Sequence, residues 1–391
     1  MAIARTSTLS AERSAENDRH EIVSAVPSKM RAAVYHGIDD VRLEEVPVPE
    51  IGPGEILIRV HTCGICGTDL KKIATGSHSA PRIFGHETAG IVVKVGAKVG
   101  EGVRKFSVGE RVVVFHHIPC GECYYCRHKT FAQCATYKKV GCTAGFEPSG
   151  GGFAEYVRVM DWIVEKGTVR IPEGTSFEQA SFAEPVNTCI KGIETLRLQA
   201  GETVLVIGQG PIGLILATLA KRAGARVITS DLYPARLTIA HGFGLNLTID
   251  ASKSDAVQAV RGMTEGRGAD AVILAVGGSS LIRPAMDATR PGGRVLLFAQ
   301  TVRGEATIDP AAVCVDEKAL LGSYSASVEV QDESVRFVMN QEMNLERLIS
   351  HRFSLEDSVE ALKLAAHPRP DSMKIVIQPG SAWAPVRPVA G

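Results

Sequence analysis

The chain predicts a two-part α/β protein, a β-rich unit followed by a doubly wound parallel sheet. Three observations carry this reading. The 391 residues exceed the length at which one hydrophobic core usually stops growing. From Arg31 to about Arg170, short β-runs alternate with glycine-rich turns. From Glu202 onward, apolar strands alternate instead with helical stretches.

In the first part the β-runs include 30–35, 55–60, 90–95, 111–115 and 154–159, with Gly52-Pro53-Gly54 as one of the turns between them. In the second part the strands are 203–207, 226–230, 247–249, 269–276, 293–298 and 319–324. Helices are expected between them at 213–223, 234–243 and 281–289. Six strands with intervening helices describe a parallel sheet covered on both faces. After Ser325 come helical stretches at 328–340 and 355–366 and a last strand at 374–377, too little for a third domain. That tail is expected to pack back on the first part. The expected boundaries are 1–28 as a disordered tail, 29–188 with 326–391 as one domain, and 189–325 as the other.

Composition narrows the function classes. Lys and Arg number 43, as do Asp and Glu, so formal net charge is zero and no dense basic block appears. Nucleic acid and anionic membrane are excluded as main partners. The longest apolar run, around 212–220, is broken by Gly213 and followed by Lys221 and Arg222, so no membrane span is expected. The first 28 residues lack the apolar block of a secretory signal, and residence in the cytoplasm is the default.

Val204–Ile207 runs directly into Gly208-Gln209-Gly210-Pro211-Ile212-Gly213 and then a helix. Gly208 allows a tight turn, Gly210 lets the backbone approach a pyrophosphate, and Gly213 permits close helix–strand packing. The phosphates would sit at the positive end of the helix. Pro211 and Ile212 belong to the same loop, and Arg236 is counted with them as a cofactor contact. Asp231, ending the second strand, can accept bonds from ribose hydroxyls and repel a 2′-phosphate, which points to NAD over NADP. A helix cap near Pro234 is the plainer use of Asp231.

Four of the nine cysteines, Cys120, Cys123, Cys126 and Cys134, crowd into one loop. Two-residue gaps let a turn aim successive sulfurs at one centre, and a short loop returns the fourth, which suits tetrahedral zinc. With four thiolates no position remains for water, so this metal would be structural. Cys63, Cys142, Cys189 and Cys314 are read as small buried hydrophobes. Further ligand candidates stand far apart: Cys66 in Cys66-Gly67-Thr68-Asp69, His86 and Glu87 in Gly85-His86-Glu87, and Glu184 in Glu184-Pro185.

Taken in this order, from Met30 to about Pro379, these motifs resemble the zinc-containing medium-chain dehydrogenases, and within them the sorbitol (polyol) dehydrogenase-like branch. The resemblance implies a GroES-like catalytic domain and a Rossmann cofactor domain. It implies two zinc ions per chain, a catalytic one on Cys66 and His86 and a structural one on the four cysteines. Glu87 or Glu184 would be a further ligand or hold the metal's water, and Asp69 would orient a ligand. Thr68 matches the hydroxyl that begins the family's proton relay, and Thr188 a position near the nicotinamide. The implied reaction moves hydride between a secondary alcohol and NAD.

Two positions depart from the pattern. Lys71 stands where the family often has His, leaving the relay beyond Thr68 open. His116, four residues before the cysteine loop, is a polar residue at a position that commonly lines the substrate pocket, and it suits a hydroxylated substrate. Glu184-Pro185 looks more like polyol and sugar dehydrogenases than ethanol-type or threonine-type members. An L-threonine 3-dehydrogenase-like or other secondary-alcohol activity is the second reading, and a non-catalytic zinc- and NAD-binding relative the third. A homodimer or homotetramer is expected, with the edge strand near 319–323 available for pairing.

Overall fold

The computed structural model describes residues 26–102, 104–299 and 303–380. Positions 1–25 of the expected tail lie outside the described residues.

In the second half, the six expected strands form one parallel sheet: β9 (Thr203–Ile207), β10 (Arg226–Asp231), β11 (Leu247–Asp250), β12 (Ala269–Leu274), β13 (Thr289–Leu297) and β14 (Ala319–Gly322). Their spatial order is β11-β10-β9-β12-β13-β14. The chain therefore reverses direction across the sheet between β9 and β12, the switch point where such folds bind ligands. Val204, Leu205 and Val206 in β9 are fully buried, as a strand covered on both faces requires. Helices Pro211–Arg222 and Pro234–Gly242 begin with proline at their first turn, where no backbone N–H is needed.

The first half folds around a second, mostly antiparallel sheet. Its strands are β3 (Ile56–Gly64), β4 (Glu87–Val95), β5 (Arg111–Val114), β6 (Cys142–Thr143), β7 (Tyr156–Val159) and β8 (Thr168–Arg170). A separate hairpin, β1 (Lys29–Gly37) with β2 (Asp40–Pro47), lies beside it and buries Met30, Val34 and Tyr35 in the same core. Two C-terminal strands, β15 (Ile349–Ser354) and β16 (Lys374–Gln378), complete the order β15-β16-β3-β4-β5-β8. These two strands thus return to the first unit, and positions 381–391 lie outside the described residues. The sequence gives no strand signal for β15, because Ile349–Ser354 has one buried position followed by exposed or part-exposed residues, Phe353 the one apolar side chain among them, and no alternation.

Helix Ala183–Leu196 lies between the two halves. It packs against helices Pro211–Arg222 and Gln331–Met339 on one side and β4 on the other. Among the described residues no helix is long and apolar enough to cross a membrane. The expectation for the remaining cysteines needs one correction. Cys63, Cys142 and Cys189 are buried, but Cys314 is exposed, at the end of a short helix, Pro310–Cys314, that buries no residue.

Candidate active site

Cys66 immediately precedes helix Gly67–Thr75 and caps it, its sulfur accepting from the Thr68 N–H at 3.5 Å. Three residues on, Asp69 reaches back to the Cys66 N–H at 3.3 Å, closing a capping box. The other Asp69 oxygen accepts from the Gly85 N–H at 3.4 Å and lies 3.0 Å from His86 Nδ1. One fully buried carboxylate therefore fixes both the cysteine and the histidine. With Nδ1 engaged, His86 is left to present Nε2, the arrangement of a histidine prepared for metal.

Cys66, His86 and Glu87 each offer a donor atom, all within 4.8 Å of one another. Glu87 opens β4, and its carboxylate is ion-paired with Lys374, the first residue of β16. Lys374 also donates to the Ile65 carbonyl at 3.0 Å. Burial opposes charge on Lys374, but the anionic groups around it, Glu87 first, hold its pKa above the ordinary lysine range. No sequence signal marked Lys374; only the assembled strand order brings it here from the far end of the chain.

Glu184 stands outside that triplet, on the first turn of helix Ala183–Leu196, yet close enough to sense it. Burial pushes its carboxyl up to about 7 against the pull of His86, with the Glu87 charge adding to the push. The mixed sulfur, nitrogen and oxygen donor set fits a zinc site that keeps a position open for another ligand. Around it, His116 places its ring 4.5 Å from that of His86, and His117 lies 4.0 Å beyond. Both Nδ1 atoms are buried without a partner among the described residues. Thr68 is half-buried beside Cys66. Thr188 donates its hydroxyl to the Pro185 carbonyl at 2.8 Å, within its own helix.

The four-cysteine loop folds on itself. Cys123 and Cys126 sulfurs lie 3.5 Å apart, Cys120 and Cys126 3.9 Å, and Cys134 and Cys120 3.7 Å. Four thiolates at the Zn–S bond length of about 2.3 Å around a tetrahedral centre would lie about 3.8 Å apart. All four sulfurs belong to one cluster, and among the described residues no histidine or carboxylate joins it. The donor set fits a closed zinc site.

At the switch point, Gly208 adopts φ 93° and Gly210 caps helix Pro211–Arg222. A side chain on Gly213 would place its Cβ 1.8 Å from the Gly208 carbonyl oxygen, so only glycine fits. At Gly210 none of the described residues lies within 4 Å of a Cβ position, which leaves room for a phosphate. Pro211 and Ile212 form the first turn above that space. Asp231 is buried beside the loop and accepts from the Gln209 N–H at 2.6 Å and the Tyr233 N–H at 2.8 Å. Arg236 brings a guanidinium nitrogen to 3.9 Å from Asp231 and stacks over Tyr233.

Comparison with known proteins defines the class. The family model for the alcohol dehydrogenase GroES-like domain matches residues 52–172, and that for zinc-binding dehydrogenases matches 211–340. An erythritol/L-threitol dehydrogenase of Mycolicibacterium smegmatis is 31% identical over 374 residues, covering 90% of this chain and 99% of that protein. An L-threonine 3-dehydrogenase of Rhizobium rhizogenes is 33% identical over 347 residues, covering 86% and 95%. Among solved structures, a zinc-binding dehydrogenase from Sinorhizobium meliloti 1021 bound to NADP has TM-score 0.80 and 30% identity, covering 90% and 100%. The chain belongs to the zinc-containing medium-chain alcohol/polyol dehydrogenase family, and is an NAD(P)-linked oxidoreductase of GroES-like plus Rossmann architecture.

Proposed function

We propose that the protein oxidises a secondary alcohol, a polyol or sugar alcohol in particular, with NAD as hydride acceptor. The observation that carries this reading is the convergence of Cys66, His86 and Glu87, two of them oriented by the single buried carboxylate of Asp69. Zinc bound there would supply the Lewis acidity that lowers the pKa of a substrate hydroxyl, and bound NAD would supply the hydride acceptor.

The chain's own groups divide the remaining work. Cys66 and His86 hold the metal, with Glu87 or Glu184 as a further ligand or as the holder of its water. Asp69 keeps the His86 Nδ1 proton in place, and Lys374 balances the Glu87 charge. The Thr68 hydroxyl takes the proton released by the substrate and passes it outward. His116 offers a ring nitrogen to a second hydroxyl on the substrate, which favours a polyol over a simple alkyl alcohol. Thr188 packs near the nicotinamide. Gly208, Gly210, Pro211, Ile212 and Gly213 take the pyrophosphate, and Asp231 with Arg236 takes the adenosine ribose. Cys120, Cys123, Cys126 and Cys134 hold the structural zinc.

In this reading residues 29–188 with 326–391 form the catalytic domain and 189–325 the cofactor domain. The protein works as a homodimer or homotetramer in the cytoplasm. Nine unbridged cysteines suit a reducing compartment. The edge strand β14, with Leu320 part-exposed, offers a surface for pairing. L-Threonine oxidation is the second reading, favoured by the Rhizobium relative. A panel of polyols, sugars, amino alcohols and alkyl alcohols, assayed with NAD and with NADP, separates the two. Fastest turnover on a polyol with NAD is expected; fastest turnover on L-threonine would replace the substrate assignment.

A further inference from the structure

Between β14 and helix Gln331–Met339 the chain crosses over through residues 324–327, and two buried side chains, Asn187 and Tyr137, and the half-buried Lys191 grip this short segment. Lys191 Nζ donates to the Tyr324 carbonyl at 2.6 Å and the Ser325 carbonyl at 3.3 Å. The Asn187 amide donates to the Ser327 carbonyl at 3.0 Å and accepts from the Ser327 N–H at 2.7 Å. From the opposite direction, Tyr137 donates its hydroxyl to the Ala326 carbonyl at 2.9 Å and lies 2.8 Å from Ser325 Oγ. Ser325 itself is held at φ 63°, a left-handed conformation that a serine adopts only when its surroundings impose it.

The grips come from informative places. Glu184, Asn187, Thr188 and Lys191 follow helical spacing on helix Ala183–Leu196, so the face that grips the crossover also carries two residues of the proposed active site. Tyr137 sits three residues beyond Cys134 and packs in one cluster with Cys126 and Cys134. Its buried ring stacks on His117 at 5.0 Å, at the end of the row that runs through His116 to His86. An exposed ion pair, Lys129 with Glu329 at 2.7 Å, also joins the cysteine loop to the residues after the crossover.

We propose that Tyr137 is a positioning residue that joins the four-cysteine loop, the crossover 324–327 and helix Ala183–Leu196 into one body. Order in the four-cysteine loop then sets the placement of Glu184 and of the histidine row. The coupling rests on the reading of the site given above, but its first test does not need turnover. Ring packing is kept in Tyr137→Phe, which loses only the hydroxyl.

Hydrogen exchange of the zinc-loaded protein reads the crossover directly. Tyr137→Phe should raise exchange in 322–330 by about fivefold to tenfold, through loss of the hydroxyl's hydrogen bonds to Ala326 and Ser325, and leave β9 and β12 unchanged. Cys123→Ser, which loosens the cysteine loop, should raise exchange in the same peptide. Combined with Tyr137→Phe it should add nothing there, because the link is already cut. Ser325→Gly accepts the left-handed backbone without steric strain and should recover part of the protection lost in Tyr137→Phe. Glu329→Gln, removing only the exposed ion pair, should change exchange by less than about twofold.

In turnover, Tyr137→Phe should lower kcat by about fivefold to tenfold with the KM for NAD within about twofold, and Ser325→Gly should restore part of that kcat. Unchanged exchange in 322–330 in Tyr137→Phe, or fully additive effects with Cys123→Ser, would overturn the proposal. Absence of any NAD-linked turnover in the wild-type protein would instead count against the functional reading and leave the exchange result to decide the coupling.

Discussion

The two metal-competent clusters of this molecule are built in opposite ways. The four-cysteine cluster comes from one loop, Cys120 to Cys134, and presents a single donor type. The Cys66–His86–Glu87 cluster draws three donor types from a helix cap and the start of a strand, and takes its balancing charge from Lys374 near the other end of the chain. A local loop can close around a metal and saturate it with thiolates. A cluster assembled by the fold can hold unlike donors and leave a position for substrate. In the proposed reading, structure-keeping and chemistry fall to different construction principles.

The comparison is broken most sharply at the assembled cluster. His86→Ala should reduce turnover by at least about a thousandfold, because the metal that polarises the hydroxyl loses a ligand. Steady-state kinetics measures the loss, and circular dichroism should show the fold intact. Cys123→Ser should do the reverse, bringing thermal unfolding forward by on the order of 5–10 °C as the loop loses its metal. Differential scanning calorimetry reads that shift, and residual turnover should exceed that of His86→Ala.

Asp69→Asn sharpens the picture further. It keeps the volume of the side chain but removes the charge that faces His86 Nδ1, and metal affinity or kcat should fall by about 10- to 100-fold. A chelator competition titration separates the two effects.

Much of this contrast was legible in the residues. Cys120 to Cys134 could be read locally because ligand spacing and loop geometry coincide there. The glycine loop was legible for the same reason, since strand, turn and helix follow in order. Cys66, His86, Glu87 and Glu184 carry no local signal strong enough to join them, and only the family resemblance grouped them. Lys374 escaped notice because a lysine at the start of an apolar strand looks like an exposed strand end. Its burial depends on β16 pairing with β3, a contact between residues some three hundred positions apart. β15 escaped because its partly exposed residues do not alternate, and Cys314 was misplaced because a short helix on the surface hides no face.

Smaller effects sharpen the cofactor and histidine assignments. Asp231→Ser should raise kcat/KM with NADP relative to NAD by about tenfold, as a 2′-phosphate no longer meets a carboxylate. Burial drives the His117 imidazole down to about 3, far below its ordinary value. The native state then binds fewer protons than the unfolded chain between that pH and about 6.5. Its contribution to stability is complete above about 6.5 and is lost as pH falls through that window. His117→Gln should therefore flatten the acid limb of a denaturation midpoint profile between about pH 6.5 and 4.

Zinc stoichiometry by inductively coupled plasma mass spectrometry, on the wild-type protein and on Cys66→Ala/His86→Ala, tests the division most directly. Two zinc ions per wild-type chain and one in the double variant, with the remaining one lost in Cys123→Ser, are predicted. One zinc in the wild-type protein, or two in the double variant, would contradict the assignment of two centres of different kind.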